Sequence, residues 1–209
     1  MSEPTFHVAV FCKAPVAGSV KTRLIPAYGA QGAAEIYLQL AERTLSTVSQ
    51  THTLANCSAS LWVADDPHHK TITRWSHDFQ MPVHQQHGDN LGARMLQCLQ
   101  AMRRTHERVL LIGTDCPGFT SQHFIDAANA LTTTCPWIFV PSEDGGYVLV
   151  GSNAPNDAPF VDIEWSTPIV MRQTRTALIT SNQKWAELPS LWDVDEPQDV
   201  LHLRRDTPL

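Results

Sequence analysis

Short apolar runs alternate with longer polar or amphipathic stretches along most of the chain. The apolar runs predict buried strands, and they lie at residues 6–11, 60–64, 82–85, 108–113, 137–140 and 147–150. Helices are predicted where apolar residues recur at spacings of three and four, which places them on one helical face, or where a capping residue begins the stretch. These helices lie at residues 29–50, 67–79, 91–106 and 121–131.

Several helix starts are marked by residues whose side chains accept hydrogen bonds from free backbone N–H groups. Asp65 or Asp66 would cap the helix at 67–79, and Ser121 would cap the helix at 121–131. Thr167 followed by Pro168 predicts the start of a further helix. Residues 195–198, Asp-Glu-Pro-Gln, predict the last helix as a capping box.

The order of these elements predicts the fold class. Strands alternate with helices for about the first 140 residues, which is typical of a mostly parallel sheet covered by helices on both faces. Residues 146–165 break the alternation and predict an antiparallel strand and a lid-like loop. No linker or repeat interrupts the chain, so we expect one three-layer α/β/α domain over residues 1–209.

Composition excludes several classes of protein. The 209 residues carry 15 Lys and Arg against 21 Asp and Glu, a formal net charge of -6, which argues against a general nucleic-acid binder. The longest apolar runs are too short to cross a membrane, and the N-terminus shows no secretory signal. Five cysteines without CxxC spacing indicate reduced thiols, so we predict a cytoplasmic protein. The sequence predicts no oligomeric state.

The loop after the first strand concentrates positive charge. Lys13, Gly18, Lys21 and Arg23 lie within eleven residues. Gly lets the backbone approach a ligand closely, while Lys and Arg match phosphate oxygens. The loop contains neither a Walker motif nor a dinucleotide-binding GxGxxG motif. It therefore predicts a phosphate site, and a solvated basic loop is the alternative.

A carboxylate follows the clearest predicted strand. Asp115 lies in residues 113–117, and ligands of open α/β sheets bind at the carboxyl ends of the strands. If phosphates bind to the first loop, Mg²⁺ or Mn²⁺ could bridge them to this oxygen ligand. The alternative is a turn residue that caps the following helix. Cys116 is interpreted as a small buried residue rather than a nucleophile.

Further candidates have simple structural alternatives. Asp144, Gly145 and Gly146 lie between two strands and could form only a hairpin turn. Asp193 and Asp195 could serve only the capping box that follows them. The remaining candidates are Trp165, which could be a buried residue at a helix entry, and Arg94, which could be solvated at a helix start.

Six segments occur in one order along nearly the whole chain: KAPVAGSVKTRL, QHGDNLGARM, GTDCP, PSEDGGYVLVG, IEWST and DVDEPQD. Together they resemble the DUF2064 family, which includes proteins described as radical-SAM/selenodomain-associated transferases. The set is more distantly similar to the guanylyltransferase of coenzyme F420 synthesis and to molybdenum-cofactor nucleotidyltransferases. The resemblance covers about residues 6–200 and implies the GT-A, or nucleotide-diphospho-sugar transferase, fold.

The resemblance also implies roles for individual residues. Lys21 and Arg23 would bind the phosphates of a nucleotide, and Asp115 would be a metal ligand. Asp144 would act at the reaction centre, and with Gly145 and Gly146 it would border the acceptor or sugar pocket. The wider candidate set adds Lys13, Gly18 and Arg94 to the phosphate site, Trp165 to the pocket, and Asp193 and Asp195 to the metal ligands.

The function implied by this resemblance is group transfer from a nucleotide-activated donor to a small acceptor, with Mg²⁺ or Mn²⁺. We expect glycosyl transfer from a nucleotide-sugar. The Asp-x-Asp motif common in GT-A glycosyltransferases is replaced here by residues 114–117, Thr-Asp-Cys-Pro. This departure leaves open nucleotidyl transfer from a nucleoside triphosphate with release of pyrophosphate. A non-catalytic nucleotide-binding module is the second alternative.

Overall fold

Seven strands form one mixed sheet in the computed structural model, which describes residues 5–206. The strands run across the sheet in the order β3-β2-β1-β4-β6-β5-β7, and only β6 is antiparallel to its neighbours. In chain order they are β1 His7–Cys12, β2 Ser58–Val63, β3 Val83–Gln85, β4 Val109–Ile112, β5 Trp137–Pro141, β6 Tyr147–Ser152 and β7 Trp185–Glu187. The mostly parallel sheet predicted from the sequence is confirmed.

Six helices flank this sheet within the same residue range. They are α1 Ile25–Ala55, α2 Lys70–Asp78, α3 Leu91–Arg103, α4 Ser121–Ala130, α5 Val170–Thr180 and α6 Pro197–Asp206. Alternate residues of β1 point to opposite sides, as the pleat requires. Val8 and Val10 join a core with α1, α2 and α4, whereas Ala9 joins a second core with α3 and α5. The three-layer architecture is therefore confirmed.

The first helix begins earlier than its apolar pattern predicts. It starts at Ile25 with Pro26 in its first turn, where the missing N–H of proline costs no hydrogen bond. Gly29 has φ 70° and ψ 166°, so a kink separates this first turn from the long amphipathic part. Pro26, assigned to the loop from the sequence, is thus a helix-start residue.

The predicted helix caps are wrong in four places; at α2, α4 and α6 another nearby side chain accepts the free N–H groups, whereas α5 has no side-chain cap. His69 caps α2 through an acceptor bond from the Thr71 N–H, and Thr120 rather than Ser121 caps α4 with His123. The helix α5 begins at Val170, after Thr167 and Pro168. At the start of α6, Asp199 accepts the backbone N–H groups of Asp195 and Glu196. The side chain of Asp195 is consequently available to the cavity.

The strand β7 was not predicted from the sequence. It has only three residues, it lies at the sheet edge beside β5, and none of its residues is fully buried. Such a short edge strand gives no clear alternation of apolar and polar positions.

All five cysteines carry free thiols. Among residues 5–206, no helix combines the length and the apolar character needed to cross a membrane.

Candidate active site

One large cavity opens at the carboxyl ends of the central strands. Its volume is about 810 Å³, within the range of small-molecule sites. Five main segments line it: the loop after β1, the start of α3, the tip of β4, the β5–β6 turn and residues 165–170. Asp195 reaches it from the C-terminal segment. The topology explains this convergence, because β1 and β4 are parallel neighbours and β4 pairs with β6.

Lys21 is the most tightly held charge in the cavity. Its Nζ lies 2.8 Å from Oδ1 of Asp115 and 2.9 Å from Oδ1 of Asp195, and its side chain is only 6% exposed. Burial alone would lower the pKa of Lys21, but the charges of both aspartates outweigh burial and raise that pKa. Arg23 lies at the rim, 3.4 Å from Oδ2 of Asp195 and 3.8 Å from Glu196. The cations and the strand-tip acid predicted from the sequence therefore share one cavity.

The segment before α6 delivers two further acids to the site. The Leu191 N–H donates to the carbonyl of Pro141 at 3.0 Å, and the Val194 N–H donates to the carbonyl of Asp115 at 2.9 Å. These bonds fasten the segment across the ends of β5 and β4. Val194 is fully buried, while Asp193 and Asp195 on either side of it remain partly exposed. The capping box therefore does not explain Asp195, whose carboxylate instead bridges two cations.

Three carboxylates form a potential cation site. Oxygens of Asp144, Asp193 and Asp195 lie within 4.8 Å of one another. Asp144 is fixed by the turn itself, since its Oδ1 accepts bonds from the Ser142 hydroxyl and from the Gly146 N–H. Carboxylate oxygens are the donors that Mg²⁺ and Mn²⁺ prefer, so these residues fit such an ion. Asp144 does lie in a turn between two strands, as the structural alternative predicts. The same turn also places its carboxylate in the cluster.

The pKa of Asp193 shows the effect of several carboxylates lying close together. Burial, followed by the charges of Asp144, Asp195 and Asp115, raises the pKa of Asp193 to about 7. The structure thus groups Asp144 with the two C-terminal aspartates, whereas Asp115 is engaged by Lys21. The assignment of Asp115 as a metal ligand remains a prediction. The negative charge of Asp115 nevertheless helps to raise the pKa of Asp193 in the cluster.

The Asp193→Asn variant should reduce the pH dependence of the stability of the metal-free protein. The native state binds the Asp193 proton more tightly than the unfolded chain, in which the pKa is near 3.8. As pH rises from about 4 to about 7, the unfolded chain loses this proton first, so stability falls over that interval. Urea unfolding in a chelator should give a shallower fall for Asp193→Asn, and a variant more stable than the natural protein at pH 8. Equal pH slopes for the two proteins would contradict this, and exposed Asp126→Asn is the control.

Aromatic side chains form the other wall of the cavity. Trp165 packs edge-to-face on Tyr147 and lies near Phe160. Its indole lies over Gly92 in the first turn of α3, where an added Cβ would approach Cζ2 of Trp165 to 2.7 Å. Arg94 lines the cavity from the same turn and donates from Nε to the carbonyl of Gly88 at 3.0 Å. Position 92 must therefore hold a small residue, because the indole of Trp165 covers it.

The structure brings most of the predicted site residues together. Those that line the cavity are Lys13, Lys21, Arg23, Arg94, Asp115, Asp144, Gly146, Trp165 and Asp195. Among residues 5–206, three predicted residues fall outside this lining. Gly18 forms a bend of the first loop with φ 86°, Asp193 lies behind the other acids, and Gly145 packs against Pro168.

Two supporting residues were missed or misassigned from the sequence. The Tyr37 hydroxyl of α1 accepts from the Lys13 N–H at 2.8 Å and donates to the Lys13 carbonyl at 3.2 Å. Both carboxylate oxygens of Asp65 accept from the Ala14 N–H instead of capping α2. Together these side chains fix the backbone where the phosphate loop leaves β1. Burial raises the pKa of the Cys116 thiol to about 12, which disfavours the thiolate form that a nucleophile requires.

Comparisons with known proteins agree with this architecture. A family model described as an uncharacterized protein conserved in bacteria, DUF2064, matches residues 47–167, which is more than half of the chain. A search of curated proteins gives no match. Among solved structures, a candidate nucleotide-diphospho-sugar transferase from Desulfovibrio desulfuricans is 25% identical with a TM-score of 0.86, over 98% of this chain and 88% of that protein.

Two other solved structures share the fold at lower identity. A nucleotidyl transferase from Methanothermobacter is 11% identical with a TM-score of 0.67, and 97% of each chain is covered. Glucosyl-3-phosphoglycerate synthase from Mycobacterium tuberculosis, solved with Mn²⁺, UDP and glucosyl-3-phosphoglycerate, is 11% identical with a TM-score of 0.53. That match covers 95% of this chain and 75% of the synthase. At this identity the two neighbours establish the fold alone.

Proposed function

The chain belongs to the DUF2064 family, and from that membership and the geometry of the cavity we propose that it transfers a group from a nucleotide-activated donor to a small acceptor. The specific proposal is glycosyl transfer from a nucleotide-sugar in the presence of Mg²⁺ or Mn²⁺. One observation carries it: two cationic side chains and a cluster of carboxylates converge in one cavity that also has an aromatic wall.

Each wall of the cavity suits one part of such a donor. Lys21 and Arg23 offer a point charge and a forked donor to phosphate oxygens. Trp165 and Tyr147 present apolar faces, to which the sugar or the acceptor can pack. The similar protein from Desulfovibrio and the synthase with bound UDP support a nucleotide donor of this kind.

The aspartates would hold the divalent ion. The carboxylate oxygens of Asp144, Asp193 and Asp195 lie within 4.8 Å of one another, and Asp115 adds its negative charge beside them. When bound, the ion would offset negative charge on the departing phosphate. Lys21 and Arg23 would stabilise the same charge with an ammonium and a guanidinium group, which match phosphate oxygens.

The reaction itself follows from the donor. The acceptor hydroxyl loses its proton and forms a bond to the anomeric carbon, while the bond from that carbon to the β-phosphate oxygen breaks. Asp144 lines the cavity at the β5–β6 turn and is our candidate to accept that proton, so Asp193 and Asp195 of the cluster would be the ligands that hold the ion. The products are the glycosylated acceptor and a nucleoside diphosphate.

Nucleotidyl transfer is the second candidate. It is supported by the single acid at the tip of β4, because Gly113 and Pro117 lie two residues from Asp115 and leave no Asp-x-Asp pair. In that reaction an acceptor oxygen attacks the α-phosphate of a nucleoside triphosphate, and pyrophosphate leaves. The nucleotidyl transferase from Methanothermobacter shares the fold.

Leaving-group analysis separates these candidates. The protein is incubated with a panel of nucleotide-sugars and nucleoside triphosphates together with small hydroxyl-bearing acceptors, once with Mg²⁺ or Mn²⁺ and once with a chelator. We expect a nucleoside diphosphate from one nucleotide-sugar, and no release in the chelator. Pyrophosphate from a triphosphate would replace this proposal with nucleotidyl transfer. Binding without release across the whole panel would favour a non-catalytic nucleotide-binding module.

A further inference from the structure

The position of Lys21 is unusual for a residue expected to meet phosphates. Its ammonium group points at two carboxylates, with N–O distances of 2.8 Å and 2.9 Å, and its side chain is almost fully buried. A cation held between Asp195 of the carboxylate cluster and the adjacent Asp115 offsets negative charge that a divalent ion would otherwise offset. The Lys21 ammonium is therefore a competitor for the divalent ion, in addition to being a phosphate ligand.

The backbone of Lys21 is anchored, so only its side chain is free to exchange partners. The residue has φ 46° and ψ 46°, a left-handed conformation that is unfavourable for a residue with a Cβ. Its carbonyl accepts the N–H of Leu24, whose side chain is fully buried. Four rotatable bonds nevertheless allow the ammonium group to reach a new partner without backbone movement.

The charges of the cluster determine what can displace Lys21. The buried ammonium group pairs directly with Asp115 and Asp195, and the carboxylates of Asp144 and Asp193 lie beside Asp195 in the cluster. A bare divalent ion that displaced the ammonium group would leave a buried cation without a partner, which is strongly unfavourable. An ion that arrives on a polyphosphate brings anionic oxygens, to which the displaced ammonium group can bind.

We propose that Lys21 occupies the place of the cation between Asp115 and Asp195 until a cation–polyphosphate complex enters, and then moves to the phosphates. The ligand of this site is thus the metal–nucleotide complex rather than the free ion followed by the nucleotide. The inference rests on the proposed function, because it takes the phosphate-bearing donor from it. It adds an order of binding and a second role for one residue.

Retention of Mn²⁺ by the protein during ultrafiltration tests this order of binding. The natural protein should retain Mn²⁺ weakly by itself and at least tenfold more tightly with inorganic tripolyphosphate, which carries no base. Lys21→Met, which removes the charge but keeps a long side chain, should bind free Mn²⁺ at least tenfold more tightly than the natural protein. Lys13→Met is the matched control, since it removes a charge from an exposed position of the same cavity.

Each outcome decides the inference. If Lys21→Met tightens Mn²⁺ binding no more than Lys13→Met, the ammonium group does not compete with the ion. If the natural protein retains tripolyphosphate but binds Mn²⁺ equally tightly with and without it, the proposed order is wrong, and this arm needs no variant to fold. Failure of the proposed function has a different result: no tripolyphosphate binds, while Lys21→Met still gains affinity for Mn²⁺.

Discussion

Replacement of Asp115 by Asn is expected to reduce turnover by at least about 100-fold, the effect typical of losing one electrostatic contact at a reaction centre. The change keeps the shape of the side chain but removes its charge. Lys21 would then keep only Asp195 as a close carboxylate partner, and the acids that attract the ion would lose one charge. We expect weaker Mn²⁺ binding in the presence of nucleotide and a lower kcat with the donor identified by leaving-group analysis.

The control for this variant is Asp126→Asn, which alters an exposed aspartate of α4 whose carboxylate bonds to Gln122. It should retain the turnover of the natural protein. Full turnover in Asp115→Asn, with unchanged metal dependence, would remove Asp115 from the mechanism. A parallel loss in both variants would indicate a general effect of charge rather than a role at the strand tip.

Of the substitutions proposed for this protein, Gly145→Ala should cause the largest loss in the free energy of unfolding. Gly145 has φ 95°, which strains any residue with a side chain, and an added Cβ would lie 2.0 Å from the carbonyl oxygen of Pro168. The obstacle is backbone, and Gly145 also accepts the N–H of Met171 at 2.8 Å, so the start of α5 would have to move. We expect a loss of about 3 kcal/mol or more in the free energy of unfolding.

Gly146→Ala is a neighbouring control. Its added Cβ would meet the Ser142 hydroxyl at 3.2 Å and an Asp144 oxygen at 3.3 Å, both of which are side-chain atoms that can shift. Urea unfolding should therefore show a much smaller loss for this variant. Comparable losses for the two glycines would mean that the contact with Pro168 does not hold the 165–170 segment against the β5–β6 turn.

The central layers of the fold were predictable because their physical signals are local. Runs of buried β-branched and leucine residues, such as β4, can only be interior strands when they are this short. The convergence of Lys21 and Asp115 was likewise predictable, since parallel strands that alternate with helices expose their carboxyl ends on one edge. In this case the order of strands and helices along the chain is enough to predict that the two residues lie close together, and no side-chain detail is needed.

Other features depend on contacts between distant segments and could not be predicted. The sequence near residue 195 has a good capping box, yet Asp199 caps the helix and Asp195 turns to Lys21 across 174 positions of the chain. The choice between these two equally plausible roles is made by tertiary packing of the buried Val194. Tyr37 similarly lies in an apolar helical stripe, where nothing in the local pattern indicates that its hydroxyl holds Lys13.

A crystal structure of the protein with Mn²⁺ and the donor nucleotide tests the central claim most directly, because anomalous scattering locates the ion independently of the nucleotide. The account predicts a Mn²⁺ peak among the carboxylates of Asp115, Asp144, Asp193 and Asp195, with phosphate oxygens within hydrogen-bond distance of Lys21. A nucleotide bound outside this cavity, or phosphates in the cavity with Lys21 still paired to both aspartates and no ion at the acids, would contradict it.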